Sequence, residues 1–214
     1  EWKRAVKVRQ ALSIAIDRQT IVDTVLRGFA RPIAVFFWGN FENQLAGRRW
    51  EYNPQKAKQL LAEAGYPKGF SITLTPSLRG APAEVEACEV IATMWTNIGI
   101  DVKFQKIPYD TLRPQVVARN YQGATCHAAG ARVVTQGTST LLTTQGSFTF
   151  GASHPFLEEI TPRIEVAVDR KELDRLNGEL GAFLFDNALT FIGLYSVDVV
   201  WPVGPRLEEW KEHV

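Results

Sequence analysis

The chain opens with apolar side chains at the spacing of an α-helix. Val8, Leu12 and Ile16 lie four residues apart. Asp17 then has the chemistry of an N-cap, and the second helix that it starts ends at Gly28. Similar spacing, bounded by capping residues, glycines and prolines, predicts further helices near 54–64, 82–98, 109–117, 156–164 and 169–184.

Shorter apolar runs between the helices predict strands. Phe70, Ile72 and Leu74 alternate with serine and threonine, which is the pattern of a half-buried strand. A second strand is predicted over 100–107, after an intervening helix, and this order of strand, helix and strand implies a right-handed crossover between parallel strands. Further apolar runs lie at 189–194 and 199–201. We therefore predict an α/β fold with a mixed, mostly parallel sheet flanked by helices.

Composition narrows the possible partners. The chain is 45% hydrophobic and 22% charged, as in an ordinary globular domain, and 24 lysines and arginines against 23 acidic residues give a net charge of +1. This balance offers no electrostatic attraction for nucleic acid or for an anionic membrane surface. No apolar run approaches the ~20 residues that a membrane-spanning helix needs. We expect neither nucleic-acid binding nor membrane insertion.

The sequence carries none of the common signatures of catalysis. It lacks a phosphate loop, a dinucleotide-binding glycine turn, a nucleophile elbow and a zinc-protease helix. Cys126 and His127 are adjacent, and neighbouring side chains of a strand point to opposite faces, so they are poorly placed as nucleophile and base. His127 alone cannot hold a metal ion, which needs several ligands. We predict no enzyme, no intrinsic metal and no cofactor.

The two cysteines form no CxxC pair. Cys88 lies on the apolar face of a predicted helix, which favours a buried thiol that packs as a small hydrophobic side chain. A bridge from Cys88 to Cys126 requires Cα atoms within about 7 Å, and the sequence leaves that question open.

An aromatic cluster occupies the long loop between 29 and 50. Its members are Phe36, Phe37, Trp38 and Phe41. Ligand pockets are usually walled by aromatic side chains, and Trp38, which is next to Gly39, is the best candidate to line one. Packing against the neighbouring helices is the alternative for each of these side chains.

Three blocks, in this order, resemble the family 5 extracellular solute-binding proteins, the dipeptide, oligopeptide and nickel receptors of ABC importers. The first reads VRQAL, AIDR, IV and VLRG within 8–28, the second YNP, KAK, LLAEAGYP and GF within 52–70, and the third W, IGIDV within 95–102. The resemblance implies a lobe of the type II periplasmic-binding-protein fold.

The resemblance also implies a mode of action. Members of the family have two lobes, so 1–214 is expected to be a single C-terminal lobe, with the N-terminal lobe and signal peptide before Glu1. Hinge closure traps a peptide or similar small polar solute between the lobes, and the closed form delivers it to the permease. The expected location is the periplasm or another extracytoplasmic space.

One departure from the family concerns the predicted ligand site. Peptide-binding members usually carry a tryptophan and an aspartate in the stretch that matches 130–142, and this chain has neither. Arg132 is the only ionic side chain of that stretch, so an anionic or polar solute fits at least as well as a peptide held by its ammonium group. The residues predicted to contact the ligand are Trp38, His127, Arg132, Thr135 and Gln136.

Two other functions stay open at this point. One is an interaction or signalling module that binds no small molecule, which would show no stabilisation by ligand. The other is an enzyme that uses Cys126 or His127, which would reveal itself by covalent labelling of a thiol of low pKa.

Overall fold

The computed structural model of the protein describes residues 1–35, 45, 47–128, 141–146, 154–189, 191–198 and 204. The helices are α1 (Trp2–Ile14), α2 (Arg18–Thr20), α3 (Pro54–Glu63), α4 (Glu84–Asn97), α5 (Tyr109–Val117), α6 (Pro155–Val166) and α7 (Arg170–Asp186), and a π-helical turn (Ile21–Val25) continues α2. The strands are β1 (Ala30–Pro32), β2 (Ser71–Pro76), β3 (Asp101–Phe104), β4 (Ala124–Cys126) and β5 (Tyr195–Val197).

The main sheet is parallel, in the order β3-β2-β4. Leu74, at the centre of β2, is paired with Phe104 on one side and Ala124 on the other. α4 connects β2 to β3 and packs against both, as the predicted crossover requires. A separate antiparallel pair joins β1 to β5. The predicted α/β fold with a mostly parallel sheet is confirmed.

Three predicted helix starts have the expected caps. Asp17, Asn53 and Asp169 each accept a hydrogen bond on the side chain from the backbone N–H three residues later. Each cap satisfies one of the N–H groups that a helix start leaves without a partner, which typically contributes about 1 kcal/mol. These starts are local features, and the sequence alone was enough to locate them.

The last strand lies later in the chain than its predicted position. A strand was predicted over 189–194, and Ile192 in that range forms an isolated antiparallel bridge with Val35, but β5 itself comprises Tyr195–Val197, which pairs with β1. Leu189 is instead fully buried against α6 and α7. The second predicted run, 199–201, lies outside the described residues.

Buried apolar side chains form two clusters. One fills the space between the parallel sheet and helices α1, α3 and α4, and the other lies mainly between α6 and α7. α1 contacts both, since Leu12 belongs to the first cluster and Trp2 packs against the second. Whether 1–214 is one lobe of a larger two-lobe protein remains a prediction.

Arg18 joins the end of α1 to a distant segment. Its side chain is 5% exposed. It donates to the carbonyl oxygens of Gly193 at 2.7 Å, Ser13 at 3.0 Å and Ile16 at 3.3 Å, and to the Ser13 hydroxyl at 2.8 Å. Burial lowers the pKa of Arg18 from its usual value to about 9, so the guanidinium is charged at neutral pH.

The two cysteines form a disulfide, with their Cα atoms 5.9 Å apart. The interpretation of Cys88 as a buried free thiol is therefore wrong in its chemistry, although the residue is fully buried as expected. α4 packs against the parallel sheet and brings Cys88 to the end of β4, where Cys126 lies. Disulfides persist in oxidising compartments and are rare in the cytosol of most organisms.

Candidate ligand-binding edge of the sheet

The three parallel strands end at one edge of the sheet, where the residues that follow them meet. These are 77–79 after β2, 105–109 after β3 and 127–128 after β4, and we call them together the carboxyl edge. In open α/β sheets, ligands bind outside the carboxyl ends of the strands. The carboxyl edge is therefore the candidate ligand-binding site.

Arg79 contacts the two other segments of the carboxyl edge. Its Nη1 donates to the carbonyl oxygen of Ala128 at 3.1 Å and lies 3.2 Å from Nε2 of His127. The guanidinium also lies over the ring of Tyr109, 4.8 Å from the ring centre, which is within cation–π range. The residue is exposed. Arg79 thus brings residues from all three segments together and presents a permanent positive charge.

The buried carboxylate of Glu84, in the first turn of α4, holds the turn after β2. It accepts hydrogen bonds from the hydroxyl of Ser77 and from the backbone N–H of Arg79, the latter at 2.9 Å. Leu78, between them, has a φ of 49°, a left-handed conformation that costs a non-glycine residue roughly 1–2 kcal/mol. The Ser77 N–H donates to the carbonyl oxygen of Cys126 at 2.9 Å, which ties the turn to β4.

His127 is neutral at physiological pH. Because arginine can only donate, Nε2 of His127 accepts the hydrogen bond from Arg79 and the proton lies on Nδ1. Burial and then the charge of Arg79 lower the pKa of His127 from 6.5 to about 4, against the opposing effect of Glu84. The imidazole therefore supports the Arg79 guanidinium without repelling it.

We expect protonation of His127 to destabilise the folded protein as the pH falls. Its native pKa is about 4 and its usual value 6.5, so the unfolded chain binds the proton first, and the stabilisation present above pH 6.5 declines down to about pH 4. Each pKa unit is worth about 1.4 kcal/mol, and with allowance for partial exposure we expect a loss on the order of 2 kcal/mol. Urea unfolding at several pH values, compared with His127→Gln, measures it. Equal pH dependence in both proteins would contradict the prediction.

Of the predicted ligand-binding residues, the structure places His127 at the carboxyl edge. The other four, Trp38, Arg132, Thr135 and Gln136, lie outside the described residues. Contact with ligand stays a prediction for all five. Arg79 was not predicted, although a signal existed, because a basic residue shortly after a strand of a parallel sheet lies at the edge where ligands bind.

The structure bears on the enzyme alternative through Cys126. Its sulfur is bonded to that of Cys88, so the pair of Cys126 and His127 has no thiol to act as a nucleophile. Among the described residues, no group of three or more histidine, cysteine or acidic side chains is placed to hold a metal ion. No helix in the same part of the chain is long and apolar enough to cross a membrane.

A cavity of about 370 Å³ lies at the opposite, amino end of the sheet. Its lining includes Lys58, Lys68 and Tyr66, next to the turn before β3. It lies away from the carboxyl ends of the strands, where ligands of open α/β sheets bind. The carboxyl edge is therefore the better candidate for the ligand-binding site. Lys68, at the opposite end of the sheet, is a suitable control position for mutations of that edge.

Comparison with known proteins identifies the family of the chain. The model of the bacterial extracellular solute-binding proteins, family 5, middle region, matches residues 2–147. The chain is 37% identical over 112 residues to heme-binding protein A of Haemophilus influenzae, covering 49% of this chain and 20% of that protein. It is 34% identical over 131 residues to the oligopeptide-binding protein AppA of Bacillus subtilis, covering 54% and 24% respectively.

Solved structures show the same fold. HbpA2 from Haemophilus parasuis superposes with a TM-score of 0.77 at 21% identity, over 90% of this chain and 39% of that one. A dipeptide-binding protein from Pseudoalteromonas, in complex with Met-Leu, gives 0.75 at 20% identity with the same coverage. The predicted type II periplasmic-binding fold is confirmed. The chain matches a quarter or less of the length of heme-binding protein A and AppA. It belongs to family 5 of the bacterial extracellular solute-binding proteins.

Proposed function

We propose that this chain captures a small carboxylate-bearing solute at its carboxyl edge. The observation that carries the proposal is the exposed guanidinium of Arg79, braced by His127, Ala128 and Tyr109 where the parallel strands end. A guanidinium recognises carboxylates through paired hydrogen bonds, and a braced one loses less freedom on binding.

The similar proteins support this ligand class. Their names describe proteins that bind heme, glutathione and oligopeptides, and one structure holds the dipeptide Met-Leu. All of these ligands carry carboxylate groups. Arg132, Thr135, Gln136 and Trp38 are proposed as further ligand contacts, since the stretch that contains the first three begins just after Ala128.

The rest of the proposal follows from the family. The chain acts as the C-terminal lobe of a two-lobe protein that is not an enzyme, closes on the solute about a hinge and delivers it to the permease of an ABC importer. The disulfide between Cys88 and Cys126 supports a location in the periplasm or another extracytoplasmic space, where such bonds persist.

The test uses the full-length mature protein, purified from its own cell envelope without denaturation. Native mass spectrometry detects retained solute, and calorimetry then measures binding of four probes: the dipeptide Met-Leu, oxidised glutathione, the nickel complex of L-histidine, and hemin. We expect at least one carboxylate-bearing solute to bind. If no solute is retained and none of the probes binds, the proposal fails in favour of an interaction module.

The role of Arg79 has its own test. Arg79→Ala is expected to weaken binding of the best probe at least tenfold, which corresponds to about 1.4 kcal/mol, and Arg79→Lys to recover part of the loss. Lys68→Ala removes a cation at the opposite end of the sheet and is expected to change the affinity less than twofold, on the order of 0.4 kcal/mol. Equal affinities of the Arg79→Ala variant and the wild type would exclude Arg79 from the site.

A further inference from the structure

We propose that Glu84 and the Cys88–Cys126 disulfide are positioning groups that hold Arg79 at the carboxyl edge and act on the bound solute only through it. The inference rests on the proposed function, because it needs Arg79 to meet the solute. Both groups lie behind the carboxyl edge, within the lobe, since Glu84 is 8% exposed and Cys88 fully buried.

Glu84 sets the direction in which Arg79 leaves β2. Leu78 is left-handed there, so the turn depends on outside support. The support is the Glu84 carboxylate, which accepts from the Ser77 hydroxyl and the Arg79 N–H. Glu84 forms no ion pair with any described residue, and its charge is stabilised by these bonds and by the start of α4. The charge-assisted hydrogen bonds of Glu84 therefore stabilise the turn after β2.

The disulfide connects the two elements that support Arg79. Cys88 lies one helical turn after Glu84, on the same face of α4. Cys126 is the last residue of β4, immediately before His127, which accepts a hydrogen bond from the Arg79 side chain. One covalent bond thus fixes the helix that holds the Arg79 backbone relative to the strand end that holds its guanidinium.

Arg79 is held at both of its ends, at the backbone and at the guanidinium. Glu84 binds the backbone N–H of Arg79, whereas His127, Ala128 and Tyr109 contact the guanidinium. With both ends held, the charge is presented in one direction before ligand arrives, and this preorganisation lowers the entropic cost of binding. Loss of either support should weaken binding even though Arg79 itself is intact.

The affinity test is a double-mutant cycle in the full-length protein, with the probe that binds the wild type best among Met-Leu, oxidised glutathione, nickel-histidine and hemin. We expect Glu84→Ala to weaken binding roughly tenfold, and Glu84→Gln, whose amide oxygen still accepts, by about threefold or less. In an Arg79→Ala background, Glu84→Ala should cause little further loss. Glu86→Ala, which removes an exposed acid from the same helical turn, is the control.

The disulfide is tested with the double variant Cys88→Ala/Cys126→Ala in the same cycle. We expect a loss of roughly threefold to tenfold that also disappears when Arg79 is alanine. If the losses from either change persist unchanged without Arg79, the groups act on the fold in general and the proposal is overturned.

A second readout needs no solute. NMR of ¹⁵N-labelled histidine should show that His127 of the wild type stays neutral down to about pH 4. The double cysteine variant should raise the pKa of His127 above the wild-type value as Arg79 and the surrounding packing move away. Both Glu84 variants remove a negative charge that itself raises the pKa of His127, so they are compared with each other, and Glu84→Ala, which also releases Arg79, should have the higher pKa. An unchanged pKa of His127 in the double cysteine variant, together with equal pKa values in Glu84→Ala and Glu84→Gln, contradicts the proposal. Should no probe bind while His127 responds as expected, the proposed function fails and the positioning of Arg79 stands.

Discussion

Replacement of Arg18 by alanine is expected to lower the free energy of unfolding by about 4 kcal/mol. The guanidinium is buried and is the donor for three backbone carbonyls, those of Ser13, Ile16 and Gly193. The Ser13 carbonyl also accepts from the Ile16 N–H, so the loss falls mainly on the carbonyls of Ile16 and Gly193, and each buried acceptor left without a donor costs roughly 1–3 kcal/mol. The side chain also packs near the ring of Trp50. The loss should exceed that of an ordinary surface substitution several times over.

Urea unfolding followed by tryptophan fluorescence measures this effect. The matched control is Arg31→Ala, which removes an exposed arginine of β1 and should change stability by no more than about 0.5 kcal/mol. Arg18→Lys keeps the charge but cannot reach Gly193 and Ser13 together with a forked group, so an intermediate loss is expected. A loss below about 1 kcal/mol in Arg18→Ala would mean that water takes over the role of the guanidinium.

Removal of the disulfide is expected to lower the free energy of unfolding by about 3–4 kcal/mol. Cys88 and Cys126 are 38 residues apart in sequence, and a cross-link over such a loop restricts the unfolded chain far more than the folded one. Both cysteines are buried, so reduction also places two thiols in the core between α4 and β4. The oxidised protein should therefore be the markedly more stable form.

The measurement compares urea unfolding with and without dithiothreitol, which reduces the disulfide to two thiols and is itself oxidised to a cyclic disulfide. The variant Cys88→Ala/Cys126→Ala should have the low stability of the reduced wild type both with and without dithiothreitol, and so show no response to the reductant. Equal stability of the oxidised and reduced wild type would show that the cross-link adds nothing to packing already present.

The helix starts that the sequence predicted correctly are controlled by nearby residues. Asp17, Asn53 and Asp169 cap their helices because a side chain and an N–H three residues apart decide that geometry. The predicted position of the last strand was wrong because β5 forms by pairing with β1, which is far away in the chain. Long-range partners of this kind leave no trace in local apolar spacing.

The candidate site was predictable only in part for the same reason. His127 was among the residues predicted to contact the ligand, and the structure places it directly after β4. The role of Arg79 depends on the parallel order of three strands, and the pairing of Cys88 with Cys126 depends on how α4 packs on the sheet. The family resemblance supplied the fold, whereas these contacts required coordinates.

The pairing of β1 with β5 has a consequence for synthesis of the protein. β1 leaves the ribosome long before its partner strand, because β5, with Val197 opposite Ala30, is made only after all the other described helices and strands. Until then one strand edge of the nascent chain has unpaired backbone groups, which favour association with other chains. The two strands can pair only after Val197 has been translated, so chaperones that bind unfolded nascent chains would protect this edge during the interval.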